Sequence, residues 1–341
     1  MKKKILCAIL ASISCLLASW LIQNYSGVLY REPLAKIEQV TVEQRTQKMT
    51  AVVVNGAKQG QKIDLTSPYQ ENEAETIHLS PGEQVFYQNH EVVEKKRDGF
   101  VFFMLSLLFL TLIFVGGKTG LTTFISAALN SGALFIMVWF YREHSELSLL
   151  QMTTVYMVFA VAVTLFFIDG IKKNSLQKFL ATIVTILAAF GVCYFAMTLL
   201  HDQGLRFEDM GVLTRPYRPI YLASLLVGAI GASLDTVVTV IATLEEIERR
   251  NPQVTLAQLL ESGKTIGNDI SGTMINVLIC SYFSSALPMI LLYLFNGWSF
   301  IQTINMLLSL EVVRVLCGGF GILLSIPISL SFFYVARRRT L

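Results

Sequence analysis

The residue that most constrains this chain is Asp235, the one ionisable group in a 25-residue apolar run from Ile220 to Leu244. A run of that length crosses a bilayer core of ~30 Å. A carboxylate inside it costs about 2.5–3.5 kcal/mol by insertion scales unless it meets water or a partner. Asp235 therefore either lines a polar route or bridges neighbouring helices through hydrogen bonds. Both roles require other membrane helices around it.

The rest of the sequence supplies them. Of 341 residues, 53% are hydrophobic and 15% charged, too apolar for an ordinary soluble domain. Further runs long enough to cross, or nearly cross, a membrane lie at Ile5–Ile22, Phe100–Val115, Leu121–Phe140, Leu149–Ile168, Phe179–Leu200, Met274–Phe295 and Val315–Val335. The expected fold is mainly α: a polytopic membrane helix bundle of about eight spans, with a small extracytoplasmic β domain between spans one and two. Its expected divisions are an N-terminal anchor over 1–23, the β domain over 24–98, and a seven-span membrane domain over 99–341.

Short-loop basic residues set the orientation. With the N-terminus inside, the inner segments hold Lys2, Lys3, Lys4, Lys118, Lys172, Lys173, Lys178, Arg249, Arg250, Lys264, Arg337, Arg338 and Arg339, thirteen against four outside: Arg142, Arg206, Arg215 and Arg218. Both termini are therefore expected in the cytoplasm. The first span reads as an uncleaved anchor or as a signal peptide, since Lys2 to Lys4 precede an apolar run but no small-residue cleavage site stands out around Ala18 to Tyr25. The net charge of +3 is small and spread over loop ends, which leaves no nucleic-acid surface. All five cysteines fall in apolar spans without CxxC spacing, so neither a disulfide framework nor a cysteine metal site is expected.

The one sizeable polar segment is about Asn24 to Asp98. Short alternating runs at Lys36–Val42, Met49–Val54, Gln61–Leu65, Glu75–Leu79 and Gln84–Gln88 are separated by the turn signals Asn55-Gly56, Ser67-Pro68 and Pro81-Gly82. They predict a small antiparallel barrel, OB-like or SH3-like, resting on the membrane.

After the Asp235 run, Asn251-Pro252 breaks the helix, and Thr255 with Gln258 forms a capping-box pattern. Leu256, Leu259, Leu260, Ile266 and Ile270 then share a face, which predicts a cytoplasmic interfacial helix near 255–268. Polar residues on the two flanking spans recur at helical spacing. Ser224, Gly228, Gly231, Asp235, Thr239 and Glu246 share a face of the first, and Asp269, Thr273, Asn276, Cys280 and Ser284 a face of the second. Two such stripes facing each other would form a polar seam able to carry protons or cations, because carboxylates switch protonation and hydroxyl and amide oxygens replace hydration. The candidate ion or substrate pathway is Asp235, Thr239, Asp269, Thr273 and Asn276; the plainer reading is that small polar residues only let helices pack.

Near the start of the last span Glu311 and Arg314 stand three apart on one face, as a brace or a gate. Other apparent motifs fail. Gly117-Lys118-Thr119 and Gly263-Lys264-Thr265 lack the upstream glycine of a phosphate loop, those positions being Leu112 and Gln258. His78, His90, His144 and His201 lack HExxH spacing, and no GxSxG elbow exists. No enzyme activity, metal or other cofactor is expected.

Several spaced motifs resemble a known family. The stretch Gly228 to Asp235 (GAIGASLD), then Glu245-Glu246-Ile247, Asn251-Pro252, Gly267 to Met274 (GNDISGTM), Asn276, Glu311-Val312-Val313-Arg314, Gly319-Phe320-Gly321 and Pro327 is similar to the YibE/F-like multi-pass membrane proteins. Asn268 departs from that pattern, standing where the family commonly has a basic residue beside Asp269. The resemblance implies a bacterial cell-membrane protein associated with transport, without naming a substrate. It also implies a second, shorter YibE/F-like subunit beside the membrane lipids as a partner. The expected function is a secondary-transporter-like permease with Asp235 as coupling carboxylate. The alternative is a non-transporting scaffold or envelope sensor acting through the β domain.

Overall fold

The computed structural model describes residues 2–24, 30–43, 45–70, 76–144, 146–170, 175–210 and 216–338, with the side chains of 2–11, 168, 169 and 209 outside the description. Lys172, Lys173, Arg215 and Arg339 of the charge pattern, and Glu75 of one expected strand, lie outside the described residues. Two compact units divide at residues 124 and 125.

The first unit contains α1 (Lys2–Asn24), a barrel of β1 (Leu34–Glu43), β2 (Thr46–Val53), β3 (Lys62–Pro68), β4 (Gln84–Gln88) and β5 (Glu91–Lys95), and α2 (Asp98–Gly116). The strands close in the order β1-β2-β3-β5-β4. All pairings are antiparallel except the single β3–β5 contact. This is the OB-like alternative, a Greek-key barrel without a free edge. Alternation places Ala35, Ile37, Met49, Ala51, Leu65 and Val85 inside, where they form one buried core.

The expected strand at 75–79 is not one. Its alternation reflects Leu79 entering the core, but its backbone is held by a side chain: wholly buried Gln47 donates to the Ile77 carbonyl at 2.7 Å and accepts from the Leu79 amide at 3.1 Å. The fifth strand is instead Glu91–Lys95, whose charges face outward and mask its period. Asn55 plays a comparable part at the turn read from the sequence, bonding the Leu34 amide and the Tyr30 and Glu32 carbonyls. Lys96, almost fully buried, donates to the Ile22 and Gln23 carbonyls at the end of α1 and pairs with Asp98 at 3.1 Å. A cation on the last carbonyls of a helix is favoured by its dipole. Burial and a bond to Asp98 push the Tyr30 hydroxyl above its ordinary value.

Chain continues through α3 (Lys118–Glu143), which runs across the division, into α4 (Leu149–Asp169), α5 (Ser175–Leu199), a 3₁₀ turn at Phe207–Met210, α6 (Tyr217–Arg250), α7 (Leu256–Phe295), α8 (Phe300–Leu307) and α9 (Ser309–Arg338). Among the described residues seven helices are long and apolar enough to cross a membrane: α2 to α7 and α9. The expected first span is α1, whose side chains are described from residue 12 onward.

The core of the second unit is where α5, α6 and α9 meet. A Cβ on Gly321 would lie 2.5 Å from the Ser233 hydroxyl and 3.8 Å from Ala189 Cβ, so glycine sets the closest approach of the three. Thr182, Thr185, Ser233, Thr236, Ser325 and Ser329 are all wholly buried there. Most return their hydroxyl to their own helix, as Thr182 does to the Lys178 carbonyl and Thr236 to that of Ala232. Small side chains that satisfy themselves locally let helices close without a hydrophobic driving force, which lipid cannot supply.

Residues 256–268 are not a helix of their own. Thr255 and Gln258 make the capping box read from the sequence, but the helix they open continues for 40 residues, roughly 60 Å. Two of its glycines pack closely on neighbouring helices. A Cβ on Gly263 would meet Leu330 and Leu244 at 2.6 and 3.0 Å, and one on Gly267 would meet Ile326 at 2.9 Å. Gly263 and Gly267 thus pack the early turns of α7 against α6 and α9, while Leu256, Leu260, Ile266 and Ile270 are half-buried.

Candidate intramembrane site

The same glycines decide where the polar stripes point. Leu259, Gly263, Gly267 and Ser271 are the buried positions on the early turns of α7, and Leu278 reaches the position of Gly318 on α9. Asp269, Thr273, Asn276, Cys280 and Ser284 occupy the opposite side of that helix and are all exposed. On α6 the buried face carries Ser233, Thr236, Val237, Val240 and Leu244, while Asp235 is exposed on the far side with Gly231. Thr239 is half-buried there and bonds the Asp235 carbonyl at 2.8 Å.

Among the described residues no hydrogen bond or ion pair joins the two stripes: the polar side chains of the α7 stripe and Asp235 are exposed, while Gly228 of the α6 stripe lies against Tyr282 of α7. Helical spacing states which residues share a face but not which face packs; on the early turns of α7 it is Gly263 and Gly267 that meet α6 and α9. The two helices run antiparallel, with Leu244 against Gly263 at one level and Tyr282 against Gly228 at another. Asp235 and Thr273 both fall between these levels, so the stripes lie at matching depth. Among the described residues, no hydrogen bond or ion pair engages the carboxylates of Asp235 and Asp269 or the amide of Asn276. Glu246, at the end of the α6 stripe, is paired with Arg249 and Arg250 at 2.7 and 2.6 Å.

Glu311 and Arg314 are brought together as an ion pair on the first turns of α9, both mostly buried. The Arg314 guanidinium also lies 5.3 Å from the Tyr221 ring, whose hydroxyl donates to the Leu310 carbonyl at 2.7 Å. This cluster ties the start of α6 to the start of α9.

One ionic feature escaped the sequence reading. Lys178 on α5 is nearly buried and pairs with Glu245 on α6 at 3.0 Å, where the second Glu245 oxygen is buried without a hydrogen bond. Beside it Arg337 pairs with Glu248 at 3.0 Å and donates to the Val254 carbonyl. In the sequence Lys178 and Arg337 stand out only as charges near loop ends, and a pairing 67 residues apart leaves no local signal. These contacts join α5, α6 and α9 at the end of the bundle where the hydroxyl-lined core stops.

Neither a curated protein nor a solved structure matches the chain. Two family descriptions do. Residues 28–99, which contain the barrel, match the YibE/F family N-terminal domain. Residues 104–339, which run from within α2 to the end of α9 and hold both polar stripes, match YibE/F-like protein, and the chain belongs to this YibE/F family of membrane proteins.

Proposed function

We propose that this membrane protein is a secondary-transporter-like permease in which Asp235 is the coupling carboxylate. The observation that carries the reading is an intramembrane aspartate that is exposed and unpaired within its own chain, at the depth of a second polar stripe on the adjacent helix. A carboxylate held only for packing would be matched by a donor inside the bundle, as Glu311 is by Arg314. Thr239, Asp269, Thr273 and Asn276 extend the polar surface along one half of the membrane. Their hydroxyl, carboxyl and amide oxygens suit a proton or a small cation. Glu311 and Arg314 serve as a brace, because they pair with each other and the guanidinium lies against the Tyr221 ring of α6.

A second reading is favoured by one observation on the barrel: an open cleft lined by Tyr30, Phe86 and Tyr87 together with Glu32 and Glu94. Such a surface suits a sensory or scaffolding role.

Purified protein in liposomes, driven by an imposed potential, separates the two. The permease reading expects a proton or sodium flux that Asp235→Asn abolishes while insertion and fold persist. No flux above empty liposomes, or equal flux in both proteins, rejects it.

A further inference from the structure

We propose that a second copy of this chain covers the outward polar face of α6 and α7, so that the pathway is built between two subunits. The inference rests on the permease reading for what the interface does, but not for its existence. Asp235, Asp269, Thr273, Asn276 and Ser284 project from membrane helices on surfaces that their own chain leaves exposed. Acyl chains offer no hydrogen-bond partner, so this face is covered by protein or by protein-bound water.

Three properties favour the same chain as occupant. Asn276 carries both donor and acceptor on one amide, so a two-fold axis beside it pairs the residue with its own copy and satisfies both. Ser284 is likewise donor and acceptor at once, while Thr273, whose hydroxyl donates to the Ile270 carbonyl at 2.8 Å, keeps an acceptor. Gly272 is exposed on this side with nothing within 4 Å of a Cβ, and it lies four residues before Asn276, with the small Cys280 and Ser284 following at the same spacing, so a second helix can come close enough for the Asn276 amide to be reached. The face thus needs no complementary sequence from elsewhere. The acidic groups then lie toward the edges of the contact. Asp235 of each subunit is screened from lipid without being neutralised by a fixed cation, as a group that must load and unload a proton requires.

Cys280 is a free, exposed thiol on this face, which permits a direct test. Full-length protein in native membranes, with the other four cysteines replaced by serine, is oxidised with copper phenanthroline. Each bridge forms from two Cys280 thiols, which lose two protons and two electrons to the copper(II) oxidant. The expected result is a covalent homodimer, lost in Cys280→Ser and strengthened or retained when single cysteines replace Thr273, Asn276 or Ser284. Mass measurement in nanodiscs should show a dimer that Asn276→Leu weakens by roughly three- to tenfold. Monomeric mass with no cross-link at any of the four positions overturns the proposal, as does a bridge found only to a different membrane protein. A dimer without flux in liposomes upholds the interface and removes the permease reading; flux from a monomer does the reverse.

Discussion

At the scale of single residues, the account turns on which charges are paired. Asp235→Leu removes the exposed carboxylate and is expected to stabilise the inserted protein by about 1–3 kcal/mol while abolishing flux, a separation that unfolding in mixed micelles and a liposome assay read independently. Lys178 is the opposite case. Replacing it with Met leaves Glu245 partly buried and unpaired. Because Glu245 remains about a quarter exposed, the expected loss is about 2 kcal/mol rather than the larger cost of a fully buried orphan. Lys178→Met with Glu245→Leu should recover most of it, and a double-mutant cycle in micelles measures the difference. Asp235 was legible in the sequence because it interrupts an apolar run. The Lys178–Glu245 pair was not, since each residue sits at the end of a run, where charges are ordinary.

At the scale of elements, the sequence predicted helices and strands well and their partners less well. The turn at Asn55-Gly56 and the cap at Thr255 are local chemistry, and both formed where their residues stand. The segment around Ile77 to Leu79 carries strand-like alternation, yet a distant Gln47 fixes it, which no window of neighbouring residues reports. Gln47→Ala should therefore cost the barrel about 2–3 kcal/mol, measured by thermal unfolding of the full chain, because it strands a buried amide and carbonyl. Two glycines on α7 make a sharper comparison. Gly267→Ala drives a Cβ to 2.9 Å from Ile326 and is expected to destabilise by about 1–3 kcal/mol. Gly272→Ala meets open space in the chain and should leave its fold intact. The contrast is the element-scale signature of α7: one side packs, the other waits for a partner.

At the scale of the whole molecule, composition alone established a membrane protein, and spaced polar motifs pointed to the family. The direction in which those motifs face depended on packing that only three dimensions reveal. The barrel closes its own hydrogen bonds and core, so a chain lacking Arg31 to Lys95 is expected to insert and retain flux. Restoration of the wild-type phenotype to a null strain by the barrel alone would instead favour sensing. The most direct test of the central claim is whether water reaches the stripe bearing Asp235. Single cysteines at Asp235, Thr239, Asp269, Thr273 and Asn276, in a chain otherwise free of cysteine, are exposed to a charged, membrane-impermeant thiol reagent. The account predicts labelling from an aqueous phase at all five, falling in rate from Asp269 and Thr239 toward Asn276. Inertness to that reagent, with ready labelling by a lipid-soluble maleimide, would mean that the stripe faces acyl chains and carries nothing.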